Sequence, residues 1–156
     1  MHAYSVTVTW TGNDGDGTAG YRAYRRDHVV EAAGPPAIAG SSDPQFRGDA
    51  ARWNPEQLLV AALAQCHMLW YLHLCADAGV VVVGYRDDAE GSMVLDSDGG
   101  GQFSSAVLRP RVTVDAEAMV ERALALHGEV PALCFIARSV NFPVAHEPTV
   151  TAAPTR

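Results

Sequence analysis

Asn54-Pro55-Glu56-Gln57-Leu58-Leu59-Val60-Ala61-Ala62-Leu63-Ala64-Gln65-Cys66-His67-Met68-Leu69-Trp70-Tyr71-Leu72-His73-Leu74-Cys75-Ala76-Asp77-Ala78-Gly79 is the stretch that decides the fold. Asn is a good N-cap, Pro55 suits the first helical position, and Gln57 stands where a capping-box side chain reaches back. Gly79 supplies the residue that helices favour just past their end. The spacing predicts a helix over residues 55–78, about 36 Å long at 1.5 Å per residue. Leu58, Leu59, Val60, Leu63, Leu69, Trp70, Leu72 and Leu74 leave it no continuous polar face. A helix apolar nearly all round is expected to be buried on nearly all sides. It should be the centre of the protein.

Outward from this helix the pattern changes period. Upstream, residues 4–11 alternate, with Tyr4, Val6, Val8 and Trp10 on one face, and predict a half-buried strand. Asn13-Asp14-Gly15-Asp16-Gly17 has turn chemistry, and extended segments are expected over residues 21–26 and 28–33. Residues 34–51, punctuated by Pro35, Pro36, Gly40, Pro44 and Gly48, read as one long loop. Downstream, strands are expected at 80–85, 90–95 and 103–114, with a turn between the last two. Asp115 should cap a helix over 116–127, and Pro131 should open a short helix through about residue 138. A last strand is expected over 140–150. Residues 1–150 thus read as one α+β domain with mostly antiparallel sheet, and 151–156 as a frayed tail.

Composition narrows the function. The chain has 156 residues, 48% of them hydrophobic and 19% charged, which suits one globular domain. A net charge of −7 argues against a partner held by bulk charge, whether nucleic acid or anionic lipid. All eleven cationic residues are arginine, so lysine Schiff-base and P-loop chemistries are excluded. The N-terminus lacks the pattern of a signal peptide. The longest apolar run in the helix, residues 58–64, is well short of the roughly 20 residues that span a bilayer. A cytoplasmic, membrane-free protein is the expectation, and its free thiols fit a reducing compartment.

Three cysteines carry the chemical interest. Cys66 and Cys75 lie nine residues apart, about half a turn off in azimuth and roughly 13.5 Å along the axis, so they cannot bond within an intact helix. Cys134 falls in the predicted first turn after Pro131, where a helix dipole would favour thiolate. Burial of all three as small hydrophobes is the competing reading. The histidines show no metal-ligand spacing, since His67 and His73 are six apart, and no metal site is expected. There is no serine-nucleophile motif either.

The run from Asn54 to Cys66 resembles the signature of the OsmC/Ohr family, the osmotically inducible and organic hydroperoxide resistance proteins. Pro131-Ala132-Leu133-Cys134, followed by Val140-Asn141-Phe142-Pro143-Val144, resembles that family's second-cysteine region. The resemblance implies an intertwined homodimer with central long helices. It also implies a thiol peroxidase that reduces organic hydroperoxides to alcohols, with Cys66 as the attacking thiolate and Cys134 as the resolving thiol. Glu56 matches the family's glutamate, which orients an arginine that holds the thiolate. Arg47 is the favoured match for that arginine and Arg22 the second. No bound cofactor is implied, and electrons would return from an external dithiol, a lipoylated protein or a small thiol. Leu63, Met68, Leu69 and Trp70 should give the cysteine apolar surroundings. The rival readings are a non-enzymatic dimer that binds an apolar ligand, and a hydroperoxide sensor that passes its oxidation to a partner.

Overall fold

A computed structural model describes residues 1–154. The chain divides into two compact units, Met1–Leu59 and Val60–Arg156, and the division falls inside the long helix.

The first unit carries an antiparallel sheet of three short strands in sequence order: β1 (Thr7–Trp10), β2 (His28–Glu31) and β3 (Ile38–Gly40). Two sequence expectations need correction here. All four residues of β1 are exposed, so the strand is not half-buried. The segment expected to be extended at residues 21–26 is a series of turns, tied by Ala23 N donating to Gly20 O and by the Arg26 guanidinium donating to Tyr21 O and Tyr24 O. The long loop also has more order than expected. It contains β3 and a single 3-10 turn, Pro44–Phe46, started by the Asp43 side chain accepting from Gln45 N.

Helix α1 (Pro55–Asp77) starts as its sequence prescribes. Gln57 N donates to the Asn54 side chain at 2.8 Å, and Asn54 N donates to the Gln57 side chain at 3.3 Å, a reciprocal box. Gly79, at φ +70°, ends it in the left-handed conformation that glycine adopts without a Cβ penalty. Its burial differs from expectation. Only Leu63, His67, Tyr71 and Cys75 are buried, one stripe at four-residue spacing, and Leu69 remains 60% exposed. By length and composition α1 could cross a membrane. In this fold Tyr71 and Cys75 of the stripe pack instead with Val80, Val112, Val114, Ala123, Leu126 and Val130, and Leu63 packs with Ala106 and Leu108, so α1 is the core helix of the second unit.

Two three-stranded sheets complete that unit. One holds β4 (Val82–Asp87), β7 (Pro110–Val114) and β9 (Thr149–Ala152) in the order β4-β7-β9; the other holds β5 (Glu90–Leu95), β6 (Gly101–Leu108) and β8 (Val144–His146) in the order β5-β6-β8. The β4–β7 and β5–β6 pairings are antiparallel, but β8 runs parallel to β6 and β9 parallel to β7, so both sheets are mixed. Each of the two long strands expected from the sequence is in fact two. Pro110 and Pro148 lack the N–H that a continuing ladder needs, and at both the chain passes from the β5-β6-β8 sheet to the β4-β7-β9 sheet. Glu147 N donates to Leu108 O at 2.8 Å and holds the two breaks side by side.

The helical region between β7 and β8 is also looser than expected. Asp115 does not cap a helix; its N–H donates to Val81 O at 2.9 Å and prolongs the sheet. A 3-10 turn (Glu117–Met119) leads into α2 (Val120–Leu126), and a 3-10 stretch (His127–Ala132) follows, with Pro131 inside it. Pro131 therefore opens no helix. Of the tail, Thr151 and Ala152 belong to β9, while residues 155 and 156 lie outside the described residues.

Candidate functional site

Cys66 and Cys134 meet in the second unit. Cys66 projects from α1 with intermediate exposure, and Cys134 is buried in the turn after the 3-10 stretch; all three cysteines are free thiols. The Cys66 side chain is a near neighbour of Cys134. Cys134 Sγ also accepts from Ala137 N at 3.5 Å. Burial pushes the Cys134 thiol up to about 11; the Ala137 N–H opposes that rise, and the Cys66 sulfur adds to it. The expected dipole activation of Cys134 does not occur, because no helix begins there. At neutral pH Cys134 carries its proton.

A cleft of about 290 Å³ opens beside Cys66, lined by Ala62, Gln65, Cys66, Leu69, Trp70, Phe135 and Ile136. Four of these residues, at 62, 65, 66 and 69, form one face of α1 by helical spacing. Leu69 and Trp70 thus provide apolar wall as the sequence suggested, whereas Leu63 is in the core beside Ala106 and Leu108 and Met68 does not line the cleft. Phe135 and Ile136 were legible only as neighbours of Cys134. Phe135 packs edge-on against Trp70 with centroids 5.5 Å apart, and it is 64% exposed.

Cys75 lies elsewhere. It is on the buried stripe of α1 next to Tyr71, and burial pushes its thiol up.

The other residues singled out from the sequence belong to the first unit. Glu56 is in the first turn of α1, and its Oε2 is buried with no hydrogen-bond partner among the described residues. Arg47 is exposed and takes a left-handed backbone, φ 63°, at the end of the 3-10 turn. Its guanidinium lies 6.0 Å from the Tyr21 ring centroid. Arg22 is exposed in the turn that follows Tyr21. Among the described residues neither arginine joins an ion pair, unlike Arg25, which bridges Asp14 and Asp27, and Arg52, whose Nε lies 3.5 Å from Asp27.

Sequence reasoning missed a cluster of histidines. His67 Nε2 lies 3.0 Å from His127 Nδ1, both rings are buried, and His146 of β8 stands with its centroid 5.5 Å from that of His67. Tyr71 stacks on His127 at 3.9 Å and donates its hydroxyl to Ala123 O at 3.0 Å. Residues 67, 127 and 146 are too far apart in the chain for spacing to reveal them. No group of three or more His, Cys, Asp or Glu side chains among the described residues is arranged to hold a metal ion. Burial, reinforced by the neighbouring imidazoles, pushes His67 down to about 4 and His127 to about 3.

These shifts make stability pH-dependent. The unfolded chain takes up protons near pH 6.5 that the folded chain refuses, so the stabilisation is complete above about pH 6.5. It is lost as pH falls toward 4, each histidine withdrawing at most about 1.4 kcal/mol per pH unit. Urea titrations between pH 7 and pH 4.5 should show a steeper decline in the native protein than in a His67→Gln/His127→Asn variant. Parallel declines would mean that the buried pair is already protonated.

Residues 48–149 match the family model described as OsmC-like protein. Among solved structures, an OsmC-like protein of unknown function from Vibrio cholerae is 31% identical, with a TM-score of 0.85 over 95% of this chain and 99% of that one. An organic hydroperoxide resistance protein OsmC from Legionella pneumophila is 18% identical, with a TM-score of 0.67 over 97% of this chain and 99% of that one. An OsmC-like protein from Mycoplasma pneumoniae is 13% identical, with a TM-score of 0.70 over 96% and 98%. No curated protein matches this chain.

Proposed function

Since the chain belongs to the OsmC-like family and places two free thiols near each other, one of them lining an apolar cleft, we propose that it reduces organic hydroperoxides through a Cys66–Cys134 cycle. A redox role rests on family and cysteine pair together; the peroxidase cycle is the finer reading, carried by the Cys66 position. Cys66 lines the cleft and can meet a peroxide, whereas Cys134 is buried and protonated. The Cys66 thiolate attacks the distal peroxide oxygen, the O–O bond breaks, and the alcohol leaves with a proton. The Cys134 thiol then attacks the sulfenic sulfur: the S–S bond forms, the S–O bond breaks, and water leaves with the thiol proton. A dithiol, lipoyl-bound or small, takes up the disulfide and returns two thiols. No resident cofactor is invoked, and a reducing compartment such as the cytoplasm suits the cycle.

The roles implied by the resemblance accompany this proposal. Arg47, or Arg22 in its place, holds the thiolate, and Glu56 orients the guanidinium; the unpartnered carboxylate oxygen of Glu56 is a suitable acceptor for it. The working form is taken as a homodimer. Leu69, Val81, Val83 and Phe135 are all at least 49% exposed, and a second copy would cover such apolar surface. Sedimentation at micromolar protein should give a dimer; a folded monomer would overturn that part.

Substrate class is tested by initial rates with a common dithiol. Each buried CH₂ contributes about 0.8 kcal/mol, so a few of them in the cleft give roughly one or two orders of magnitude in kcat/KM. Cumene and tert-butyl hydroperoxides should exceed hydrogen peroxide by about tenfold or more. Equal values would sink the organic-peroxide reading. Loss of two thiols without dithiol turnover would identify a sensor, and no thiol loss would identify a binding module.

A further inference from the structure

The buried imidazole pair has no part in the cycle described above, yet it joins the two segments that carry the cysteines. His67 follows Cys66 on α1, and His127 begins the 3-10 stretch that leads to Cys134. Their ring planes are parallel to within 9° and their centroids are 5.3 Å apart, close to the 3.0 Å contact plus one ring radius at each end, so the contact lies nearly in both ring planes, the good direction for an imidazole hydrogen bond. Much of the packing around the pair is apolar and non-directional. Val130 and Leu126 resist separation from α1 but define its register only weakly. The hydrogen bond is directional, and tolerates little sliding.

We propose that His67 and His127 are positioning residues whose hydrogen bond holds the Cys134 segment in register with Cys66 and so sets the rate of disulfide closure. The proposal rests on the Cys66–Cys134 cycle. Closure requires the Cys134 sulfur to approach along the axis opposite the breaking S–O bond, and about 1 Å of misplacement can cost on the order of a hundredfold. The imidazoles exchange no proton in the step.

The pair works only when neutral. His127 Nε2 is buried without a partner among the described residues, and a bare acceptor there costs less than a stranded N–H. The shared proton therefore sits on His127 Nδ1, which donates to His67 Nε2. A further proton would set N–H against N–H across the contact if it sat on His67 Nε2, and would strand a charged N–H in the core if it sat on His127 Nε2. The titratable groups packed against the pair are His146 of β8 and Tyr71 of α1. Neither is an anion at pH 4 to 7, so neither would stabilise the added charge.

The test separates oxidation of Cys66 from closure. Reduced protein is mixed with one equivalent of cumene hydroperoxide; sulfenate is trapped with dimedone, and closure is followed by mass and thiol count. In a parallel arm a diazene-dicarboxamide oxidant closes the disulfide without peroxide. His127→Phe keeps a flat ring against Tyr71 but has no nitrogen, while His127→Asn restores a donor near Nδ1 and His67→Gln an acceptor near Nε2. Closure in His127→Phe should slow by about tenfold or more in both arms, with sulfenate formation within about twofold of native. His127→Asn should recover most of the rate. From pH 7 to pH 4, native closure should fall further than that of the His67→Gln/His127→Asn double variant. Native closure rates in His127→Phe, no recovery in His127→Asn, or the same acid dependence in the double variant would each overturn the proposal. If His127→Phe fails to fold, the comparison of native protein with the double variant decides. If the native protein ignores peroxide but closes with the diazene oxidant at a rate that depends on the pair, positioning stands and the peroxidase reading falls.

Discussion

Cys66→Ser should lower kcat/KM for cumene hydroperoxide by at least about three orders of magnitude, a loss of about 4 kcal/mol of transition-state stabilisation. Peroxide reduction needs a soft, ionised nucleophile at oxygen, and a serine hydroxyl near neutral pH supplies neither the charge nor the polarisable lone pair. The substitution is nearly isosteric and the position is only partly buried, so the fold should survive. Cys134→Ser should behave differently. It leaves the attacking sulfur in place, so one equivalent of peroxide is consumed and the product is trapped as sulfenic or over-oxidised sulfur. Cys75→Ala should turn over near the native rate, because that thiol lies on the buried stripe of α1 with Tyr71. Steady-state rates and mass spectrometry of the three variants check this. A Cys66→Ser protein within tenfold of native would mean that the cleft cysteine is not the nucleophile.

Tyr71→Ala should destabilise the fold by about 3–5 kcal/mol, the usual cost of removing a large aromatic from a core. Tyr71 is fully buried, stacks on His127 at 3.9 Å, and meets Tyr85 with centroids 5.9 Å apart. Truncation removes those contacts together and leaves a void at the centre of the stripe. Tyr71→Phe should cost only about 1 kcal/mol, because the ring remains and just the hydroxyl bond to Ala123 O is lost. The difference in urea midpoint between the two variants separates packing from polarity. If the alanine variant lost under 1 kcal/mol, this core would not be closely packed at Tyr71.

Local chemistry was the most legible part of the sequence. Asn54, Gln57 and Gly79 mark the ends of α1 because caps depend on side chains within a few residues of the backbone groups they satisfy. Pro110 and Pro148 were equally local signals, and weighing the missing N–H would have divided both long strands. Burial of α1 is only partly met within one chain, for another reason. Apolarity all round says that a helix needs cover, not that its own chain provides it, and here one stripe is covered. Cys66 and Cys134 were named through a family resemblance, not through spacing. The imidazole pair had no such aid: its members are sixty residues apart and meet only through tertiary packing.

The parallel returns of β8 and β9 also govern timing. Ala106 pairs with Val144 and Arg111 with Thr149, so both ladders close across the same separation of thirty-eight residues. Such long-range pairing must meet its loop-closure cost before any contact repays it, which makes it a slow, late event. Until residues 144–152 arrive during synthesis, β6 and β7 each present an open edge, and an open edge is a template for a neighbouring chain. The antiparallel hairpin of β5 and β6 can form early. Completion of both sheets waits for the same nine residues, and conditions that slow their docking, such as dilute denaturant during refolding, prolong the one interval in which this chain is most open to aggregation.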